Sequence, residues 1–283
     1  MLSGKQVLAI IPARAGSVGV KGKNYREVLG RPLVQWSMLA ALASQYVDAV
    51  IVTSNCIHVK EITEKVQSAI MRFTSHKKNV LSLVQDKEKS KLFDSAFRDS
   101  CTALADLGCV PYCEKLYYVQ RPEEICGPQA STESAMIHAY EIAKSNYDID
   151  ADIIVLLQPT SPVRKGKLVS RCLEQFEKVK ADSLFTANGM TPFFWRIENG
   201  RTIPLYDYKN RPMRQNVRDD EILWHDNGNI YITARDVLVR EQCRLGGKIE
   251  IFPTDEFESV QIDTENELTM VEKIGQTWGS LVL

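Results

Sequence analysis

The sequence contains no long hydrophobic run. Its apolar stretches extend over about 5 to 8 residues, well short of the roughly 20 that a membrane-spanning helix needs. The first residues lead into a short apolar stretch without the pattern of a signal peptide. We therefore expect a soluble, cytoplasmic protein with no membrane partner.

The sequence also lacks an excess of charge of either sign. Its 35 Lys and Arg residues are nearly balanced by 36 Asp and Glu residues. Such a chain has no overall basic field to hold a nucleic acid backbone, so we expect no nucleic-acid partner. An anionic ligand would have to be bound by a few local cations.

Cysteine and histidine are present, but not in the spacings that form metal sites, disulfide frameworks or catalytic triads. No C-x-x-C pair and no H-x-x-x-H pair occurs. The cysteines are expected to be reduced and mostly buried. They are Cys56, Cys101, Cys109, Cys113, Cys126, Cys172 and Cys243.

Alternating apolar runs and helical periods indicate an α/β fold. Continuous apolar runs at 6–11, 48–53, 116–119, 152–157 and 183–187 are typical of strands buried on both faces in a parallel sheet. Helices are expected from Pro32, after a capping Ser131, and around 168–179. The 283 residues, 44% of them hydrophobic, can bury a large core. We predict a doubly wound, Rossmann-like, mostly parallel sheet with ligands at the carboxyl ends of its strands.

Region 57–108 is expected to contain a helical-hairpin insertion. An apolar stripe from Val59 to Phe73 predicts a first helix, the polar residues 75–79 are expected to end it, and a second stripe runs from Phe93 to Leu104. A surface insertion is favoured over a lid or a partner surface, because long insertions cost little loop entropy.

The most informative stretch follows the first apolar run. Residues 12–24 contain three glycines, at 16, 19 and 22, and cations at Arg14, Lys21 and Lys23. Glycine lets backbone N–H groups approach an anion, and the cations supply charge, so the stretch is typical of a phosphate-binding loop. Neither G-x-x-x-x-G-K-[ST] nor G-x-G-x-x-G is present. Taken alone, the loop has the alternative interpretation of a solvated turn.

Further stretches give the loop its context. Together with residues 7–24, the stretches 24–41, 121–141, 156–164, 226–232 and 260–265 resemble, in the same order, the signature of the CMP-sugar synthetases. These cytidylyltransferases activate sialic acid and related nine-carbon ulosonic acids. The resemblance covers roughly four-fifths of the chain and leaves out an insertion near 67–106. It implies one nucleotidyltransferase domain over residues 1–283, with CTP and a sugar acid as substrates.

The resemblance assigns candidate site residues. Arg14 and Lys23 match the family's catalytic, triphosphate-binding pair, and Arg121 with Thr132 matches the positions that read cytosine. The implied nucleotide-binding set is Ala13, Arg14, Ala15, Gly16, Ser17, Gly19, Lys23, Asn24, Arg121, Ala130 and Thr132. The sugar-binding candidates are Gln158, Arg164, Arg214, Asn227 and Tyr231. Without the resemblance, Arg121 would be interpreted as a surface cation.

Magnesium and a homodimer are also implied. The family commonly ends its last motif with two aspartates one residue apart, but here the first position is Gln261 and only Asp263 remains as a ligand for Mg²⁺. Without the resemblance, Asp263 fits equally well as an acid near a helix N-terminus. Residues 188–225 match the family's dimerisation subdomain.

Other departures from the family pattern leave the substrate open. Val18 and His225 replace frequent cations, and Thr191 to Phe194 replace a segment that often carries His and Lys. Two alternatives therefore remain: a cytidylyltransferase for another sugar acid, such as an eight-carbon ulosonate, or a non-catalytic CTP-binding regulatory protein.

Overall fold

A computed structural model describes residues 2–16, 19–85, 109, 111–127 and 129–278. Within these residues, strands and helices alternate along most of the chain. The strands are β1 (Val7–Pro12), β2 (Glu27–Val28), β3 (Arg31–Pro32), β4 (Ala49–Ser54), β5 (Leu116–Gln120), β6 (Ile153–Leu157), β7 (Ser183–Met190), β8 (Trp195–Glu198), β9 (Arg201–Pro204), β10 (Leu223–Ala234) and β11 (Ile249–Pro253). The helices are α1 (Leu33–Leu42), α2 (Ile57–Gln85), α3 (Thr132–Tyr147), α4 (Leu168–Val179), α5 (Arg235–Glu241) and α6 (Glu265–Trp278).

Seven strands form one central sheet in the order β11-β7-β10-β6-β1-β4-β5. All neighbouring pairs are parallel except those of β10, which runs antiparallel to both β6 and β7. The predicted mostly parallel α/β sheet is confirmed. The five apolar runs correspond to β1, β4, β5, β6 and β7. Neither β10 nor β11 was predicted as a strand.

The two faces of the sheet are covered by separate sets of apolar side chains. Along β1, Val7, Ala9 and Ile11 pack into one cluster, while Leu8 and Ile10 pack into the other. All five side chains are fully buried. Side chains alternate across a strand, so a run that is apolar at every position requires cover on both faces. The continuous apolar character of β1 is explained by this double burial.

Two of the predicted helices have recognisable starts. The Ser131 side chain accepts a hydrogen bond from the backbone N–H of Ser134 at 3.0 Å, so Ser131 caps α3 as predicted. Pro32 lies at the cap position of α1, one residue before its predicted place in the first turn. Among the described helices, none combines the length and apolar character that crossing a bilayer requires.

The prediction for the insertion was wrong in one respect. Helix α2 continues for 29 residues and runs through positions 75–79, where a break was expected. Those five positions contain neither glycine nor proline, and polar residues end an apolar stripe without ending a helix. The second predicted arm, from Phe93 to Leu104, lies outside the described residues.

Residues 188–225 form an exposed arm at one end of the sheet. Strands β8 and β9 pair as a separate two-stranded sheet. Trp195 packs its ring against Tyr206 and Tyr208, while its side chain stays 47% exposed, and Ile197 is 79% exposed. An arm that exposes aromatic and aliphatic side chains is compatible with the predicted dimerisation role, which stays a prediction.

Candidate active site

The carboxyl ends of the parallel strands open into a pocket of about 490 Å³. Pro12 ends β1, Arg121 follows β5, and Gln158 follows β6, so three strands deliver residues to its lining. The loop after β1, the start of α3 and the segment before α6 supply the rest. This is the edge at which doubly wound sheets bind ligands.

The loop after β1 is held by hydrogen bonds to its own and neighbouring segments. Arg14 donates from Nη1 to the carbonyl of Gly127 at 2.9 Å, which ties the loop to the segment before α3. Asn24 donates from Nδ2 to the carbonyl of Arg14 at 2.9 Å. Asn55 accepts the backbone N–H of Ala15 at 2.9 Å. Ser17 lies outside the described residues.

Asn55 is a positioning residue that the sequence did not reveal. It follows the last residue of β4, and a polar side chain just after a buried parallel strand was the available signal. By accepting the N–H of Ala15, Asn55 orients part of the loop that carries Arg14. One of the predicted anion-binding amides is therefore engaged in holding the loop.

Gly19 brings the loop into close contact with the segment before α6. A Cβ atom added at Gly19 would lie 2.0 Å from the carbonyl oxygen of Asp263. Only a residue without a side chain permits this approach. The glycine therefore has a packing role in assembling the pocket wall.

Lys23 and Asp263 form an ion pair across this contact. Lys23 is 8% exposed and donates from Nζ to Asp263 Oδ1 at 2.9 Å and to the carbonyl of Ile262 at 2.6 Å. The Asp263 side chain is 65% exposed and lines the pocket. The predicted catalytic cation and the predicted metal ligand therefore lie side by side.

Arg121 is a buried pocket cation and not a surface residue. It is 5% exposed and donates from Nη2 to the carbonyl of Thr53 at 2.9 Å. Burial lowers the pKa of its guanidinium, with the nearby charge of Arg14 acting in the same direction. Among the described residues its buried Nε has no hydrogen-bond partner. The surface interpretation of Arg121 is excluded, and a buried guanidinium with a spare donor can bind a ligand acceptor.

The start of α3 faces the same pocket. Ala130, Ser131 and Thr132 belong to the lining, and Thr132 is the first residue of the helix. The first N–H groups of a helix lack intrahelical acceptors and carry a partial positive charge. The pocket thereby combines a helix N-terminus with three side-chain cations, which is an arrangement suited to phosphate groups.

The sugar-binding candidates divide into two groups. Gln158 lines the pocket, beside Gln261 and Gly228. Gly228 has a φ of +64°, and a Cβ there would lie 2.6 Å from Gln261 Nε2 and 3.2 Å from Gln158 Oε1. Two side-chain amides thus meet at one backbone position at the edge of the pocket, where amides can bond sugar hydroxyls.

Arg164, Asn227 and Tyr231 form the other group and do not belong to the pocket lining, so their sugar-binding role stays a prediction. Arg164 is 1% exposed, and its Nη atoms donate to Ser37 and to two backbone carbonyls. Burial lowers its pKa to about 9. Arg164 thus follows β6 in the sequence, but its contacts hold neighbouring segments together inside the protein.

Asn227 and Tyr231 are also engaged inside the protein. Asn227 is fully buried, accepts from Thr186 and donates to Thr254. Tyr231 is 3% exposed and donates its hydroxyl to Asp226 at 2.8 Å, and burial raises its pKa. Arg214 lies on the exposed arm and is not part of the pocket lining.

The pocket residues fit a magnesium ion that shares its coordination with phosphates. Mg²⁺ is usually held by one or two carboxylates together with substrate phosphates and water. Asp263 offers one exposed carboxylate, and Gln261 lines the same pocket. Within the described residues, no group of three or more His, Cys, Asp or Glu side chains is placed to hold a metal ion.

Sequence comparisons relate the chain to known enzymes. A profile described as cytidylyltransferase matches residues 8–91. The N-acylneuraminate cytidylyltransferase of Escherichia coli is 22% identical over 96% of this chain and 52% of its own length. The CMP-N,N'-diacetyllegionaminic acid synthase of Legionella pneumophila is 24% identical over 95% of this chain and 96% of its own length. The chain therefore spans about half of the first relative and nearly all of the second.

A solved structure shares the fold. A CMP:2-keto-3-deoxy-manno-octonic acid synthetase in complex with CTP aligns with a TM-score of 0.55 and 19% identity, over 96% of this chain and 99% of that one. At this identity, the likeness concerns the fold alone. The named substrates of these three proteins are three different sugar acids.

Proposed function

We propose that the protein transfers the cytidylyl group of CTP to a sugar acid. The basis is that the chain belongs to the CMP-sugar synthetase family of cytidylyltransferases. The finer proposal is a sialic-acid-like, nine-carbon ulosonic acid as acceptor. The anomeric hydroxyl attacks the α-phosphorus and loses its proton to solvent, the new O–P bond forms, and pyrophosphate leaves with the electrons of the broken P–O bond.

The observation that carries the proposal is the charge of the pocket. Its described lining contains three cations, Arg14, Lys23 and Arg121, and one carboxylate, Asp263. The whole chain has a formal net charge of −1, so this local excess of positive charge is distinctive. Two opposite unit charges about 4 Å apart attract each other by about 1 kcal/mol in water and by about 4 kcal/mol at an effective dielectric constant of 20. A partly enclosed pocket therefore suits a triphosphate.

The residues have distinct roles in this proposal. Arg14 and Lys23 neutralise charge that spreads over the phosphate oxygens as pyrophosphate leaves. Arg121 and Thr132 contact the cytosine, the charge of Arg121 and the N-terminal N–H groups of α3 also attract the phosphates, and the amides of Gln158 and Gln261 bind acceptor hydroxyls. A bound Mg²⁺ would be held by Asp263 and would stabilise the phosphate charge. The exposed arm at 188–225 supports a homodimer as the assembled form.

The reaction is tested by pyrophosphate release from purified protein with Mg²⁺ and CTP, ATP, GTP or UTP, against a panel of eight- and nine-carbon ulosonic acids. We expect release with CTP and a nine-carbon acid. Release only with an eight-carbon acid would contradict the nine-carbon assignment. Detectable CTP binding with no release for any acid would favour the non-catalytic alternative.

Two arginine variants test the role of the loop cation. Arg14→Ala should lower turnover by about 10²–10³-fold, the usual loss for one charge-stabilising donor. The matched control is Arg26→Ala, because Arg26 belongs to the same region but pairs with Glu265 at 2.8 Å and does not line the pocket. Equal turnover in the Arg14 variant and the control would refute the assigned role.

A further inference from the structure

A second cavity of about 420 Å³ lies away from the active-site pocket. It is bounded by the end of α1, by Tyr112 and by the segment that leads into α4. Ala40, Ala43, Leu168 and Val169 give it largely apolar walls. A cavity of this size and character is in the range that binds small organic molecules.

The polar groups of this cavity favour an anion. Arg164 is part of its lining, and the buried Nε of Arg164 has no hydrogen-bond partner among the described residues. Lys167, which is exposed, places Nζ 5.8 Å from the ring centre of Tyr112. The described lining contains these two cations and no carboxylate. An unbonded buried donor costs free energy, and a ligand acceptor would satisfy it.

The same arginine contacts the wall of the active-site pocket. Arg164 donates from Nη2 to the carbonyl of Gln158 at 2.7 Å and to the carbonyl of Asn229 at 3.0 Å. Gln158 lines the active-site pocket, and Asn229 follows Gly228, which contacts the amides of Gln158 and Gln261. A guanidinium is planar and rigid, so a new hydrogen bond at Nε changes the geometry of the hydrogen bonds that Nη2 donates. One side chain therefore joins the two cavities.

We propose that the second cavity is a regulatory site for a small organic anion with one carboxylate on an apolar body. The carboxylate bonds Arg164 and is attracted by Lys167, while the apolar part packs against Ala40, Ala43 and Leu168. Binding there changes the position of Gln158 and with it the affinity of the active-site pocket for its substrates. This coupling rests on the proposed function, whereas the binding site itself does not.

The binding test uses 4-phenylbutyrate and hexanoate as probes, each with its neutral amide, in ligand-observed NMR of the full chain, both without CTP and with CTP in excess. If CTP occupies the active-site pocket as proposed, the measurement with CTP reports binding outside that pocket, and the two variants below locate the probe in either case. We expect the carboxylates to bind more tightly than the amides. Binding of neither probe, or equal binding of acid and amide, would overturn the proposal.

Two variants locate the binding site. Ala43→Leu fills the cavity from the half-buried end of α1 and should abolish probe binding. Lys167→Gln removes an exposed cation, leaves the core intact and should reduce the preference for acid over amide. Unfolding of Ala43→Leu would be seen as a loss of the far-UV circular dichroism of the folded chain, and the Lys167 variant then decides. Unchanged probe binding in both folded variants would place the probe elsewhere and refute the site.

Coupling is measured as the change in CTP and sugar-acid affinity on adding probe. A change of at least about fivefold, matched by the same change in probe affinity on adding substrate, is expected for linked sites. Probe binding without any change would refute the regulatory part. Because NMR binding needs no turnover, failure of this proposal and failure of the cytidylyl-transfer proposal give different results.

Discussion

Replacing Gly19 by alanine tests whether the contact between the loop and Asp263 assembles the active site. The added Cβ would lie 2.0 Å from the carbonyl oxygen of Asp263, while real Cβ contacts are essentially never closer than 3.0 Å. The two segments must therefore separate by about 1 Å. That contact lies beside the bond from Lys23 to Asp263, so the separation also displaces Lys23, the predicted catalytic cation. A displacement of about 1 Å in a catalytic group costs about 10²-fold in rate.

We expect Gly19→Ala to lower kcat/KM for pyrophosphate release by about 10²-fold, which corresponds to about 2.7 kcal/mol of transition-state stabilisation. Overpacking costs about 1–3 kcal/mol in a well-packed core, and a loop that can shift should lose less. The melting temperature should therefore change little. The variant should therefore remain folded while its kcat/KM falls strongly.

The matched control is Gly127→Ala. A Cβ at Gly127 meets no heavy atom within 4 Å, and the carbonyl that accepts from Arg14 is retained. This variant should stay within about twofold of the wild type, as expected for a change of about 0.5 kcal/mol or less. A Gly19 variant with wild-type kcat/KM would refute the view that this close contact sets the geometry of the pocket.

Four further variants probe Lys23 and the residues before and at the start of α6. Lys23→Met should lower kcat/KM by about 10²–10³-fold. Asp263→Asn should mainly raise the Mg²⁺ concentration required for turnover. Equal effects of the two variants on CTP binding without metal would contradict these separate roles. Glu267 accepts the N–H of Asp263 at 2.8 Å, which lowers the pKa of Glu267. Its ionised form therefore stabilises the fold above the ordinary glutamate pKa of about 4.3, and this contribution is lost as the pH falls through the lowered value. Glu267→Gln should lower the melting temperature more at pH 7 than at pH 3, and equal losses at both would contradict the assignment. Gln261→Asp should weaken CTP binding in EDTA by about fivefold, the effect of about 1 kcal/mol of like-charge repulsion; unchanged metal-free affinity would contradict it.

The sheet could be predicted from the sequence because its central strands are buried on both faces. A continuous run such as Ala49–Ser54 carries that signal locally. Strand β10 carries a weaker one, because it is exposed at its start, buried at its end and interrupted by an irregularity between Asp226 and Tyr231. Its place between β6 and β7 depends on contacts distant in sequence.

The grouping of the predicted phosphate-binding residues was easier to predict from the sequence than that of the predicted sugar-binding residues. Arg14 and Lys23 lie in one glycine-rich loop, so their proximity is almost a local property. Arg164 instead follows a strand that ends at the pocket, but its side chain turns into the core to bond Ser37 and the carbonyl of Gln158. The spacing of residues in the sequence does not predict the side of a segment on which a long side chain will be buried.

The charge balance of the pocket links Gln261 to the use of metal. With three cations and one carboxylate, the described lining has an excess of two positive charges. An aspartate at 261 would reduce that excess to one and would create a stronger cation site next to Asp263, so nucleotide binding would depend more on Mg²⁺. Lys23 already neutralises part of the charge of Asp263 through the bond at 2.9 Å. We infer that this pocket binds the triphosphate mainly through its own cations, and that Mg²⁺ contributes more to the departure of pyrophosphate than to the binding of CTP.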